Sequence, residues 1–346
     1  MNDSVDLLPG FNPETDLPEH FLVIMYGLRR SGKTVLMKYL LSQMEERLKH
    51  TEVYVICSTL DVNPDQYDFV PKSAQFSDVE NLDYRLKLIV DKQKADMKNY
   101  REKKGKIDFK KKYDNVSDDE CSEDDTPTPL KHMSKSRVAA KREIIDSDQY
   151  KDCDVKPVLI ILDDCVNENA VRTSQYLRLL AIGGRHIMIS CIILSQVVAG
   201  SASVPPAVRT QADTIIVVAN PRSRVERELI AEQYLCAGNE SNAKQIGLSL
   251  LSKVTEVEHR ALVISTCAPN ARAYPDYCFK VGPCPYPPVP EGWKMGTDEQ
   301  WAYQRRAKKP KSKELPNPMT RHNELPMDMK SGEYLRGQSE YEELFW

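Results

Sequence analysis

Six short runs of mostly consecutive apolar residues, rich in Val and Ile, restrict most what this chain can build. They are "FLVIMY" (residues 21–26), "VYVIC" (53–57), "VLIIL" (158–162), "IMISCIIL" (187–194), "TIIVV" (214–218) and "ALVIS" (261–265). A strand with one wet face alternates polar and apolar residues. Runs like these belong to strands covered on both faces, as in a parallel sheet packed between helices. Helical patterns lie between them. "GKTVLMKYLLSQMEERL" places Val35, Leu36, Tyr39, Leu40 and Met44 near one face, and "NENAVRTSQYLRLLAIG" and "RSRVERELIAEQYL" behave similarly. Strands alternating with helices indicate an α/β fold with a mainly parallel sheet. There is no internal repeat.

Two stretches break the pattern. Residues 94–154 are charged in blocks: "REKKGKIDFKKK" is basic, "DNVSDDECSEDD" acidic and "KHMSKSRVAAKR" basic again. Such a segment cannot bury enough apolar surface to offset chain entropy, so a largely disordered insertion is expected, helical at its N-terminal edge. The second break is a tail, residues 282–346, Pro-rich in "VGPCPYPPVPEGW" and basic in "RRAKKPKSK", and expected to be flexible. An N-terminal arm (1–11) and a core domain (12–281, interrupted by the insertion) complete the expected organisation.

With 346 residues the chain has room for one large domain or two small ones, and its net charge of -3 excludes a globally basic nucleic-acid coat. Any DNA contact must use a local patch or a pore lining. The 9 cysteines include no Cys-x-x-Cys pair, and Cys57, Cys191 and Cys267 sit in or beside apolar runs. That usage points to reduced, buried thiols rather than a disulfide framework or zinc site. No apolar run approaches the roughly 20 residues of a membrane span, and "MNDSVDLLPG" lacks a signal-peptide core. An intracellular protein without a membrane partner is the expectation.

The first apolar run leads into "YGLRRSGKT", in which Gly27, four residues, then Gly32-Lys33-Thr34 match G-x-x-x-x-G-K-[ST]. Glycines let the backbone curl so that its N–H groups face phosphate oxygens, and the helix that follows offers its positive end to the same anion. Lys33 would reach the β- and γ-phosphates of ATP, and the Thr34 hydroxyl would ligate Mg²⁺. The candidate nucleotide-binding residues are Gly27, Arg30, Ser31, Gly32, Lys33, Thr34 and Val35. Arg29 and Arg30 occupy positions where small residues are commoner, so their side chains must point out of the cradle.

A phosphate loop needs an acid to hold magnesium, and "VLIILDD" supplies two at the carboxyl end of a buried strand. Asp163 is the candidate metal partner, through water, and Asp164 the group that orients or deprotonates the attacking water. The next apolar strand ends in Ser195-Gln196, where the Gln196 amide can both donate and accept, and so sense the γ-phosphate or position water. Two adjacent acids suit a hydrolase better than a small-molecule kinase, which mainly needs the first.

Taken in order, "YGLRRSGKT", "LIILDD", "GGRHIMISCIILSQ" and "VPPAVRTQADTIIV" resemble the viral genome-packaging ATPases of the FtsK/HerA superfamily, nearest the poxvirus-type enzymes of large DNA viruses and their smaller relatives. The likeness covers about residues 12–267 without the insertion. It implies a RecA-like P-loop NTPase core of the additional-strand class, and ATP-driven translocation of double-stranded DNA into a capsid by a homo-oligomeric ring. It also implies Arg209, in "PPAVRTQAD", as an arginine finger acting on a neighbour's ATP, with Arg185, Arg224 and Arg227 as rivals. His186 is expected to pack or hydrogen-bond near the helix–strand turn. The second acid is Asp where many related ATPases carry Glu, one methylene further from the water.

The resemblance implies a location in the host nucleus or a cytoplasmic virus factory, or in the virion. Ser117 and Ser122 precede acids, as substrates of an acid-directed Ser kinase do, although a solvated spacer explains them as well. "RRAKKPKSK" fits a nuclear import signal or a non-specific DNA contact, and the terminal "YEELFW" a dock on a capsid or portal protein. Competing readings are a cellular or plasmid DNA pump or helicase of the same superfamily, a nucleotide kinase, and a slow regulatory switch ATPase.

Overall fold

A computed structural model describes residues 8–114, 155–165, 168–198, 203–218, 223–235, 242–257, 260–266, 278–280 and 289–307. The chain forms two compact units, residues 1–88 with 157–346, and residues 89–156.

All six apolar runs are strands. They are β1 (Leu22–Tyr26), β2 (Glu52–Cys57), β4 (Val158–Asp163), β5 (Ile189–Ser195), β6 (Thr214–Val217) and β7 (Leu262–Ser265), joined by two short ones, β3 (Gln75–Phe76) and β8 (Cys278–Lys280). The eight stand in the order β3-β2-β4-β5-β1-β6-β7-β8. Pairing is parallel from β3 to β6, and antiparallel from β6 to β7 and from β7 to β8. Every residue of β1, β4 and β5 is buried, which is why these runs do not alternate. β5 is the additional strand, inserted between the phosphate-loop strand β1 and the acidic strand β4.

Register alone gathers the chemistry at one rim. Cys57 lies opposite Asp163, Asp163 opposite Leu194, and Ser195 opposite Tyr26. The ends of β2, β4, β5 and β1 therefore finish level. The phosphate loop, the acid pair and Gln196 leave the sheet side by side, at the carboxyl edge where parallel sheets hold ligands.

The helices include α1 (Lys33–Gln43), α2 (Leu82–Asp114), α3 (Asn169–Thr173), α4 (Gln175–Gly183), α5 (Pro206–Arg209), α6 (Arg224–Ile230), α7 (Ala243–Thr255) and α8 (Asp298–Ala307). On α1 the core face is Leu36, Met37, Leu40 and Leu41, followed by Met44, whereas Val35 is 59% exposed. The expected placement of Val35 on that face is corrected, because the buried stripe is centred one position further on. The single helix expected over residues 167–183 is two. Ser174 accepts from Leu177 N at 3.0 Å and so caps α4, while Asp83 accepts from Ser174 Oγ at 2.6 Å and from Tyr176 N at 3.1 Å. α6 continues into a π turn, Ala231–Leu235.

The insertion is helical further than its edge. α2 runs to Asp114, through a stretch rich in Lys, a strong helix former. The remainder of the expected disorder, with Ser117 and Ser122, lies outside the described residues. So do Cys267, "RRAKKPKSK" except its first residues, and "YEELFW".

The tail expectation is corrected for residues 289–307. Trp293, Met295 and Thr297 are buried. Trp293 stacks on Phe69 with centroids 5.2 Å apart, and Met295 N donates to the Phe69 carbonyl at 2.7 Å. Gln300 acts as a one-residue strand. Its Oε1 accepts from Val53 N at 3.2 Å and its Nε2 donates to Val53 O at 3.0 Å. β3 pairs only with Val55 and Ile56, so this amide closes the part of the β2 edge that β3 does not cover.

Candidate functional site

The phosphate loop runs from the end of β1 to the start of α1. Gly27 is there because nothing larger fits. A Cβ would meet Ser31 Oγ at 2.5 Å and Lys33 Cγ at 3.2 Å. Gly32 caps α1 in the left-handed region at φ 89°, and Arg30 takes φ 64°. A left-handed non-glycine costs on the order of 1 kcal/mol. The Arg29 and Arg30 side chains are exposed, as the sequence requires of residues that cannot enter the cradle. The Val35 side chain is exposed too. The first-turn N–H groups of α1 have no acceptor within the helix and face the loop.

Two observations fit this cradle to phosphate. Ser31 Oγ is buried with no hydrogen-bond partner. Lys33, 7% exposed, folds back to donate to the carbonyls of Gly27 at 2.8 Å and Leu28 at 3.1 Å, so a cation is already parked inside the curl. Burial lowers the Lys33 pKa, and the carboxylates of Asp163 and Asp164 oppose that shift.

The acid pair lies against the loop. Thr34 Oγ1 is 3.4 Å from Asp163 Oδ2, so the two expected magnesium contacts are neighbours. Asp163 is almost fully buried, and burial raises its pKa, against the lowering effect of a hydrogen bond from Tyr67. Asp164 has φ 50°, which turns its carboxylate off the strand line and toward β5. There Gln196 Nε2 donates to Asp164 Oδ1 at 2.6 Å, and Ser58 Oγ donates to the Asp164 carbonyl at 2.7 Å. Lys33, Thr34, Asp163, Asp164 and Gln196 thus form one site.

Two residues of this site were not legible in the sequence. Gln66 Nε2 donates to Asp163 Oδ2 at 3.0 Å, and Tyr67 Oη donates to the same oxygen at 2.6 Å. Both come from the loop after β2, in "NPDQYDF", which carries no recognisable motif. The only available signal was its place: it follows a strand that ends at the same rim.

The arginines divide. Arg209 is tied inside its own subunit: Nη1 donates to the Val198 carbonyl at 2.8 Å, and the guanidinium lies beside the buried Tyr26 hydroxyl. In this chain Arg209 links the loop after β5 to the end of β1. Arg224 pairs with Glu228 at 2.6 Å with its side chain 85% exposed, Arg227 is half-buried, and Arg185 is exposed. His186 is exposed and hydrogen-bonds at the helix–strand turn: its Nε2 accepts from Arg185 Nε at 3.4 Å.

No protein-family model matches the sequence, and no curated protein sequence does. Solved structures are similar to it. The genome-packaging NTPase B204 of Sulfolobus turreted icosahedral virus 2, in complex with ATP-gammaS, aligns over 77% of this chain and 99% of its own, with 11% identity and a TM-score of 0.41. The pCW3 conjugation coupling protein TcpA, in its monomer form with ATPgS, aligns over 87% of this chain and 74% of its own, with 12% identity and a TM-score of 0.44. EssC (ATPases 2 and 3) from Geobacillus thermodenitrificans aligns over 57% of this chain and 32% of its own, with 13% identity and a TM-score of 0.34.

Proposed function

We propose that this chain is an ATPase of the FtsK/HerA type that drives double-stranded DNA into a viral capsid. The observation that carries the ATPase reading is the meeting of Lys33, Thr34, Asp163, Asp164 and Gln196 at one rim of the sheet. The Lys33 ammonium can leave the Gly27 and Leu28 carbonyls for the β- and γ-phosphates, while the loop N–H groups hold the same oxygens. Asp164 accepts a proton from the water that attacks the γ-phosphorus, as the bond from that phosphorus to the ADP oxygen breaks. Gln196 holds the Asp164 carboxylate in place and reads the presence of the γ-phosphate.

Thr34 and Asp163 are the residues that would hold magnesium. Among the described residues no three His, Cys, Asp or Glu side chains converge as a metal cage. One hydroxyl and one carboxylate suit an ion that takes its other ligands from water and phosphate, as magnesium does. Bound there, it would neutralise charge on the β- and γ-phosphates.

The DNA half of the reading is supported by the ordered motif set "YGLRRSGKT", "LIILDD", "GGRHIMISCIILSQ" and "VPPAVRTQADTIIV", and by the exposed Arg29 and Arg30 beside the nucleotide cradle. A ring places such side chains at a subunit boundary or a DNA pore. The runner-up is a cellular or plasmid DNA pump built on the same site. Among the described residues no helix is long and apolar enough to cross a membrane.

ATP turnover by the purified chain, with and without duplex DNA, tests the proposal. Stimulation by DNA, with near-background rates in Lys33→Ala and Asp164→Asn, is expected. Turnover that ignores DNA but needs a small phosphoryl acceptor would favour a kinase.

A further inference from the structure

Asp163 is unusual in how its carboxylate is held. Three donors converge on a single oxygen, Oδ2: Tyr67 Oη at 2.6 Å, Gln66 Nε2 at 3.0 Å and Thr34 Oγ1 at 3.4 Å. Gln66 Nε2 is also 3.5 Å from Thr34 Oγ1, so it spans both candidate magnesium contacts. A short hydroxyl-to-carboxylate bond is among the stronger hydrogen bonds, and it fixes direction as well as distance.

The loop that delivers Gln66 and Tyr67 is itself anchored. Gln75 Nε2, on β3, donates to the carbonyls of Tyr67 and Val70, each at 2.7 Å. The Tyr67 ring is fully buried and packs at 5.8 Å on Phe69, which in turn stacks on Trp293. Lys38, one turn along α1 from Thr34, donates to Asp68 at 3.2 Å and sits 5.0 Å over the Phe69 ring. A tyrosine placed only to fill the core would have no need to aim its hydroxyl at a buried carboxylate, because phenylalanine fills the same volume.

We propose that Gln66 and Tyr67 are positioning residues of the nucleotide site: by donating to Oδ2 of Asp163 they fix the plane of the carboxylate that, with Thr34, would hold hydrated magnesium. This inference rests on the ATP-site reading above. It assigns a function to a loop that carries no nucleotide-binding motif. It also ties the site, through Phe69 and Trp293, to residues 289–307.

The test uses the full chain and a fluorescent ATP analogue, whose binding is measured in EDTA and then across a magnesium titration. Partners that orient a metal ligand typically contribute about 10- to 100-fold in metal affinity. Tyr67→Phe should raise the magnesium midpoint by about tenfold or more, with affinity in EDTA unchanged. Gln66→Ala should shift the midpoint in the same direction. A Tyr67→Phe midpoint equal to wild type overturns the inference. Equal loss of binding with and without magnesium does so too, since it would mark Tyr67 as a purely structural residue. If the wild-type chain binds no nucleotide under either condition, the ATP-site reading itself fails. That result is distinct from the first two.

Discussion

Gln196 Nε2 and Asp164 Oδ1 are 2.6 Å apart, so the polar residue just after β5 already holds the second acid, just after β4. The contact exists because β4 and β5 are parallel neighbours in register and Asp164 turns toward β5 at φ 50°. Gln196→Ala releases the carboxylate without changing its charge. The expected outcome is a fall in kcat of about tenfold, smaller than the roughly 100- to 10,000-fold that a positioned acid or base contributes because Asp164 itself remains, with KM little changed. Gln196→Glu sets two carboxylates against each other and should cost more than the alanine variant. Steady-state ATP hydrolysis by the two variants decides this. A rise in KM with kcat intact would mean that Gln196 binds nucleotide rather than orders the base.

The phosphate loop makes a steric prediction at Gly27. A methyl group there lies 2.5 Å from Ser31 Oγ and 3.2 Å from Lys33 Cγ, so either the hydroxyl rotates or the loop opens. Overpacking of this kind typically costs about 1–3 kcal/mol, and here the strain falls on the ligand cradle. Gly27→Ala should weaken binding of an ATP analogue by about tenfold or more, and the same strain should lower the unliganded melting temperature by a few degrees. Equal binding by variant and wild type would show that the loop relaxes freely.

Residues 289–307 should contribute to global stability. Trp293 stacks on Phe69, and Gln300 satisfies both backbone groups of Val53 on the open edge of β2. Trp293→Ala is expected to destabilise the chain by about 3 kcal/mol, the low end for a buried aromatic truncated to Ala, since Trp293 Nε1 has no partner to lose. Gln300→Ala leaves Val53 to water and should cost about 1–2 kcal/mol. Thermal or denaturant unfolding measures both. A tail that only dangles would give two wild-type curves.

What the sequence disclosed and what it hid follow from range. The strands β1, β2, β4, β5, β6 and β7 were legible because burial on both faces leaves a local mark in each run. The phosphate loop was legible because its chemistry is confined to Gly27 to Thr34. Asp163, Asp164 and Gln196 could be placed because strand ends in a parallel sheet fall on one rim. β3 was hidden by having two residues, and Gln66 and Tyr67 because their partner Asp163 lies 97 and 96 positions away. The inward contacts of Arg209 were hidden for a related reason, since they depend on Val198 and Tyr26, which its own short helix does not contain. Residues 289–307 were misread because Pro and Gly around Trp293 mask three contacts made far off: Gln300 with Val53, Trp293 with Phe69, and Gln304 Oε1, which accepts from Lys72 N at 3.0 Å.

The buried thiols and Tyr26 set the alkaline limit. Burial pushes the Cys57 thiol up to about 11 and Cys191 up to about 12. Tyr26 is raised first by burial and then by its neighbour Tyr234. Each group is neutral in the fold and ionises more readily once unfolded, where a thiol titrates near about 8.5 and a phenol near about 10. Their contribution is therefore whole below about pH 8 and is lost as pH rises toward the folded values, because the unfolded chain releases protons that the native chain keeps. Unfolding free energy measured from pH 7 to 11 should fall once pH passes about 8.5. Cys191→Ala should flatten part of that fall. At pH 7, Cys57 and Cys191 should resist a maleimide in the native chain and react after unfolding, as read by site-resolved mass spectrometry. Rapid native labelling at either position would mean that β2 or β5 opens far more readily than a fully covered strand should.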